Sequence, residues 1–435
     1  MKLALLLVWP WVLGGCSRGS KSEPHGAVSA TAEPPSAAPA PSHEALDQPQ
    51  FSAPIGAATA GDLDVVAGLV VADGAVRVVA LSAGRVVWTA DALHGVAWAP
   101  DSELRVQGAA AGVALFWHGL RDGKGGRTMV VLGPHGEGRG DPIEVGTSSC
   151  ATADGVAWIA PHAHGPTRVF ARRWADPELR EMVKVPADRD PSLVCGDHQV
   201  FVLGDGDDDV TASAFTPGDA KAKPPAVVLR ESDFTDEERE HDPYTVGDDL
   251  SVVRVSASGA VALRDVRGDA ASNPWRKLRH AVSGDDETVC VDGDLSGALV
   301  VTTHASEDAC AGAGSTDGVR AIRVDAKSGE DTGIELSAAD CDRMKGPFWI
   351  GSVASGAVVA WVERPTQSAP KGAPITGVAY RVLHDGGVRE GKIEESADAV
   401  ADGGCRDRGC FVAFLERAPG SDGMHPAPIR LFAYP

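Results

Sequence analysis

The chain has 435 residues, 43% of them hydrophobic and 23% charged, and its 61 acidic against 40 basic residues give a formal net charge of −21. That balance argues against a nucleic-acid or polyanionic partner, because phosphate binding needs Lys and Arg concentrated on one face. The length suffices for one large repeat domain or two ordinary ones, and the glycine count of 51 against 10 Phe and 3 Tyr points to many turns between small-residue strands.

The first element is an export signal. Lys2 precedes an apolar run over 3–12, which is too short to span a bilayer, and Leu13-Gly14-Gly15-Cys16 follows it directly. This register resembles the lipobox of bacterial lipoprotein precursors. The resemblance implies cleavage before Cys16, a diacylglyceryl thioether on Cys16 and usually a third acyl chain on its amine. Two or three chains anchor a protein durably where one does not. Ser17 stands where the family's inner-membrane retention signal places aspartate, so the expected location is the outer membrane of a bacterial envelope.

Residues 17–54 are rich in Ser, Pro, Ala, Glu and Gly, with no hydrophobic period. Such a segment buries too little apolar area to offset backbone entropy and reads as a disordered, partly polyproline tether. The expected organisation is a signal peptide over 1–15, a lipidated cysteine and tether over 16–56, and a folded domain over 57–435.

From residue 57 one phrase recurs: a glycine turn, then Val, Ala, Leu and aromatics. It stands at Gly74-Ala75-Val76, Gly112-Val113-Ala114, Gly155-Val156-Ala157-Trp158, Gly259-Ala260-Val261, Gly297-Ala298-Leu299, Gly356-Ala357-Val358 and Cys410-Phe411-Val412. Near-continuous apolar character over five or six residues means strands covered on both faces. Between them lie more polar strands at 128–132, 168–174 and 319–324, the last leading into a hairpin-type turn at Asp325-Ala326-Lys327-Ser328-Gly329-Glu330. One short helix is expected over 232–241, ended by Pro243.

The apolar phrase returns at intervals averaging about 50 residues, the period of a four-stranded propeller blade with variable loops. The expected fold is therefore all-β: a β-propeller of seven blades, alternatively eight, built of mostly four-stranded antiparallel sheets. A pair of β-sandwiches is the competing architecture. In general pattern the chain resembles lipoproteins of GC-rich, myxobacterium-like bacteria. The terminal strand over 429–434 and the opening strand over 63–71 are expected to complete one blade and close the ring.

Cysteines in an exported chain read as disulfide material. Without Cys16 seven remain, an odd number, and no C-x-x-C occurs. The expected pairs are Cys405–Cys410, Cys290–Cys310 and Cys150–Cys195, with Cys341 left over. Asp205, Asp207 and Asp209 alternate as calcium ligands do, but Val210 and Thr216 stand where an EF-hand needs glycine and glutamate, so a solvated acidic loop competes with calcium as the reading. Asp292 and Asp294 form a weaker version. His162 and His164 fit an exposed loop better than a metal site, and Arg139-Gly140-Asp141, an adhesion-type tripeptide, is accounted for by composition. Trp98, Trp117, Trp158 and Trp361 sit in strand runs and read as core.

No local nucleophile or dinucleotide motif is present: there is no G-x-S-x-G, and Ser368-Ala369-Pro370-Lys371 carries proline where the corresponding motif requires helix. The expected function is a non-catalytic binding or scaffold propeller for a protein, peptide or glycan. The alternatives are a structural subunit of an envelope assembly, which requires a large exposed apolar patch, and an anchored polysaccharide hydrolase or lyase, with carboxylates such as Asp207, Glu237 or Asp286 converging at the ring's mouth.

Overall fold

The computed structural model describes residues 17–18, 43–99, 101–161, 166–176, 178–207, 209–219, 221–230, 238–246, 248–256, 261–266, 274–279, 287–294, 297–305, 317–325, 328, 330–338, 343–353, 356–365, 377–384, 387–393, 402–406, 409–415 and 427–434. All regular structure in them is β-strand.

The chain lays down strands in consecutive groups. The first are β1 (Ser17–Arg18), β2 (His43–Ala60), β3 (Leu63–Val70), β4 (Ala75–Ser82) and β5 (Arg85–His94). Next come β6 (Val96–Ala97), β7 (Glu103–Ala109), β8 (Gly112–Arg121), β9 (Lys124–Leu132) and β10 (Ile143–Val145), then β11 (Ser149–Ala151), β12 (Gly155–Ile159), β13 (Thr167–Arg173) and β14 (Arg180–Val185). The middle groups are β15 (Asp190–Cys195), β16 (Val200–Asp205), β17 (Asp209–Phe215) and β18 (Ala226–Arg230), then β19 (Glu238–Val246), β20 (Asp249–Ser256), β21 (Val261–Val266) and β22 (Arg276–Lys277). The last are β23 (Glu287–Asp294), β24 (Gly297–Ala305), β25 (Asp317–Asp325) and β26 (Asp331–Ser337), then β27 (Arg343–Val353), β28 (Gly356–Pro365), β29 (Gly377–His384) and β30 (Gly387–Ile393), and finally β31 (Asp402–Arg406), β32 (Gly409–Leu415) and β33 (Ala427–Tyr434).

Six sheets of four or five strands stand as separate blades: β6 to β10, β11 to β14, β15 to β18, β19 to β22, β23 to β26, and β27 to β30, on which β1 adds in parallel to β27. A seven-stranded sheet, in the order β31-β32-β33-β2-β3-β4-β5, joins the two ends of the described chain. One strand of each successive group touches the next in sequence, β2 to β7, β11, β15, β19, β23, β27, β31 and back to β2, which makes a closed ring. This is an all-β propeller of small antiparallel sheets. The expectation of seven blades, or eight, is corrected: among the described residues six sheets are separate blades, and the closing region merges into one larger sheet because β2 pairs on both sides. Its residues 43–51 pair with β33 and its residues 52–60 with β3.

The hydrophobic core is divided into slabs between neighbouring sheets. One packs Val65, Leu69 and Val78 against Val106, Leu115 and Trp117. Another packs Trp349, Val358 and Tyr380 against Cys405, Val412 and Phe414. In a third, Phe411, Ala413 and Leu415 of β32 meet Phe51, Ile55, Val66 and Leu81, so the two halves of the seven-stranded sheet face each other across β2. The recurrent apolar phrases are thus the middle strands of their sheets, sandwiched on both faces: every residue of β12 is buried, as are Gly112 to Trp117 of β8 and the described part of β32.

Three expectations change. The helix over 232–241 is not what forms at its described end: residues 238–241 belong to β19, paired across Glu238↔Ser256 to Val246↔Asp249. Non-local pairing with β20 outweighs the weak helical signal of an acidic run. The segment read as tether contributes strand β2 from His43 onward, which supplies partners to both β33 and β3. The terminal strand β33 accordingly pairs with β2 and β32, and reaches β3 only through β2.

Candidate binding face

The turns that follow β11, β15 and β19 are stitched together across three consecutive sheets. Between β11 and β12, Thr152 folds the turn on itself: its Oγ1 accepts from the N–H groups of Asp154 at 3.2 Å and Gly155 at 3.3 Å. Between β15 and β16, Gly196 N donates to Gln199 O at 2.8 Å. The Ala153 N–H donates to Asp197 O at 2.7 Å, and His198 Nδ1 lies 2.8 Å from Asp154 Oδ2. One sheet further on, Asp248 Oδ1 accepts from His198 N at 2.6 Å and Gln199 N at 2.9 Å.

Beneath this ridge the first strands are locked to one another. The Cys150–Cys195 disulfide joins β11 to β15, and Thr245 Oγ1 of β19 donates to Cys195 O at 2.8 Å. Trp174, 3% exposed, donates from its indole N–H to Thr152 O at 3.0 Å and fixes the first turn from outside. The rigid base leaves the ridge open. The side chains of His198 and Asp154 are 39% and 45% exposed. With the Asp154 carboxylate against the imidazole and Asp248 on the backbone N–H groups of His198 and Gln199, the ridge presents hydrogen-bond acceptors and negative charge on a rigid frame.

The same kind of lock closes the ring. Thr59 Oγ1 donates to Cys405 O at 2.9 Å, and buried Asp402 accepts from Ala57 N at 2.7 Å through Oδ2 and from Gly403 N at 2.9 Å through Oδ1. Arg406 pairs with Asp64. Burial pulls the Arg406 guanidinium below its ordinary range, while Asp62 pushes it back up. The Cys405–Cys410 disulfide ties β31 to β32 at a directly paired position.

Of the residues singled out in the sequence, Cys150–Cys195 and Cys405–Cys410 are brought together as expected. The expected pair Cys290–Cys310, Cys341, His162, His164, Glu237, Asp286 and the lipobox with Cys16 lie outside the described residues or have side chains outside them. Asp205, Asp207 and Asp209 sit at the hairpin between β16 and β17, on the opposite side of the ring from the His198 ridge. That hairpin carries an ion pair. Arg189 Nη2 donates to Asp209 Oδ1 at 2.5 Å, and its Nη1 donates to Gly204 O and Asp209 O at 3.0 and 3.1 Å, so a guanidinium already supplies the positive charge. Among the described residues no group of three or more His, Cys, Asp or Glu is placed to hold a metal ion. Trp117, Trp158 and Trp361 are core, and Trp98 is partly buried against it.

The Asp154–His198–Asp248 chain is invisible as a motif because its members come from separate sheets. The signal that finds it is positional: each stands in the turn directly before an apolar strand, as Asp154-Gly155-Val156, His198-Gln199-Val200 and Asp248-Asp249-Leu250.

No protein-family model and no curated protein matches the chain. Solved structures do. A prolyl endopeptidase is similar at a TM-score of 0.51 and 10% identity, over 85% of this chain and 55% of that one. The WD40 domain of SCAP from fission yeast gives 0.48 and 10% over 91% and 98%, and the β-propeller domain of the Trilobed protease from Pyrococcus furiosus gives 0.45 and 11% over 77% and 94%. At such identities the likeness concerns fold alone. The chain spans about half the length of the prolyl endopeptidase.

Proposed function

We propose that the protein is a lipid-anchored extracytoplasmic propeller of a bacterial envelope, held on the outer membrane through Cys16, that binds a protein, peptide or glycan without catalysing its conversion. The observation that carries the binding reading is the ridge of turns from three successive sheets, in which exposed His198 and Asp154 stand on a base locked by the Cys150–Cys195 disulfide and by Asp248. Rigid scaffolds with exposed turns recognise partners at little ordering cost. The carboxylates favour a partner whose contact surface carries Lys, Arg or many hydroxyl donors. The anchoring reading rests on the lipobox register alone.

Two experiments test these halves separately. A photo-crosslinking residue replaces Asp197 on the ridge or Asp207 on the opposite side, in cells of the producing organism. A discrete adduct formed from position 197 and absent from position 207 supports the ridge; equal labelling from both, or none from 197, refutes it. For the anchor, palmitate-analogue labelling should vanish in Cys16→Ser, and persistent labelling contradicts lipidation at that residue.

A further inference from the structure

A second feature lies where the sheet of β6 to β10 meets the sheet of β11 to β14. Arg172 of β13 is 4% exposed, an unusual place for a guanidinium. Its Nη2 donates to Arg139 O at 2.6 Å, while its buried Nε has no hydrogen-bond partner. Arg139 comes from the loop between β9 and β10 and is already served: Nη1 donates to Trp174 O at 2.5 Å, and Nη2 lies 3.2 Å from Glu137 Oε1. The Glu137 carboxyl is held below its ordinary range by its own backbone N–H, by Arg139 and by the His135 N–H. Glu137 is therefore the counter-charge of Arg139. No ion pair joins Arg172 to a carboxylate among the described residues.

Two guanidiniums with one carboxylate leave an uncompensated positive charge in a partly dry site, an arrangement that costs free energy unless an anion completes it. Burial pulls the Arg172 guanidinium below its ordinary range, and the neighbouring Arg139 charge lowers it further. The way in is Gly140. It is exposed, its φ of +92° suits glycine, and a Cβ built there would come within 3.4 Å of Arg172 Nη1. The missing side chain leaves the guanidinium approachable from the surface.

We propose that Arg172, with Arg139 beside it, forms a binding site for a single carboxylate-type oxyanion entering past Gly140. A planar guanidinium offers paired N–H donors that match the two oxygens of such a group. The charge can come from a free anion or from the carboxylate of a partner peptide.

The test uses the full chain with acetate, and with one short neutral peptide prepared with a free and an amidated C-terminus. Thermal melts at constant ionic strength, with chloride replaced stepwise by acetate, should show a saturable rise in Tm. Arg172→Gln should weaken the apparent affinity by about tenfold, the loss of one charge-assisted contact, and Arg139→Gln should weaken it through loss of the neighbouring positive charge, while Arg85→Gln, on the exposed strand β5, should leave it unchanged. Binding of the free-carboxylate peptide but not of its amide identifies a partner's terminus as the source; acetate binding alone identifies a free anion. Both outcomes support the site. An unsaturable response, or one retained in Arg139→Gln, overturns it. If Arg172→Gln does not fold, Arg139→Gln carries the test, since Arg139 is partly exposed and lies on a loop.

Discussion

Replacing Trp361 with alanine measures how tightly the sheets are pressed together. Trp361, in β28, is fully buried in the slab formed by Leu299, Val301, Val319 and Ala321 on one side and Phe348, Val359 and Ala379 on the other. Its ring lies 6.2 Å from that of Phe348, its indole N–H donates to Glu363 Oε1 at 3.3 Å, and the Arg381 guanidinium sits 5.2 Å from the ring centroid. Truncation removes the largest side chain in the slab and costs about 3–5 kcal/mol through lost transfer energy and the residual cavity. Loss of the cation–π contact adds about 0.5–1 kcal/mol. Arg381 itself is not orphaned, because it keeps its bonds to Leu336 O at 2.7 Å and Tyr380 O at 3.0 Å. The expected total is therefore about 3.5–6 kcal/mol, read as a lowered urea midpoint at unchanged slope. Trp361→Phe should recover most of the loss. A Trp361→Ala change below about 1 kcal/mol would mean that the two sheets do not clamp this ring, and the packing argument would fail.

Other outcomes follow from the same geometry. Asp402→Ala removes a buried acceptor and leaves the Ala57 N–H unpaired at the closure, at a cost of about 2–4 kcal/mol; a melt within experimental error of the parent would refute that role. Non-reducing peptide mapping should recover Cys150 joined to Cys195 and Cys405 joined to Cys410, and alkylation of any of the four without prior reduction would contradict the pairing. The hydrogen bond from Arg77 holds the Asp91 carboxyl below its ordinary range. A depressed carboxyl stabilises the fold above its unfolded value and loses that contribution as pH falls through the folded one, so the wild-type advantage over Asp91→Asn should fade below about pH 4. Because the pair is partly exposed, the advantage should be small and shrink with added salt.

The strands were legible where the sequence confines a side chain on both faces. Gly155 to Ile159, Gly356 to Val362 and Cys410 to Leu415 each read as covered strands and each lies in the middle of its sheet. Cys405 and Cys410 could be paired on the page because four intervening residues suit a small closed turn. What stayed hidden was set by distant partners. The start of β2 at His43 lies in a stretch whose composition signals a tether, and only β33, more than three hundred residues later, gives it a ladder. The acidic run ahead of Pro243 has a local helical signal that pairing with β20 overrides. His198 is an ordinary turn residue until Asp154, on the neighbouring sheet, comes within 2.8 Å of it. Arg172 likewise looked like a polar strand position, and its burial follows from the loop that folds over it.

The central structural claim is that the last strand closes the ring by pairing with both β32 and the first half of β2. Deleting residues 427–435 tests it most directly, monitored by thermal unfolding with Trp fluorescence and far-ultraviolet circular dichroism together. The account predicts that the truncated chain loses its single cooperative transition, because β2 is stripped of one ladder and the slab around Phe51, Phe411 and Leu415 opens to water. A truncated chain that unfolds in one transition at the midpoint of the full protein would contradict it.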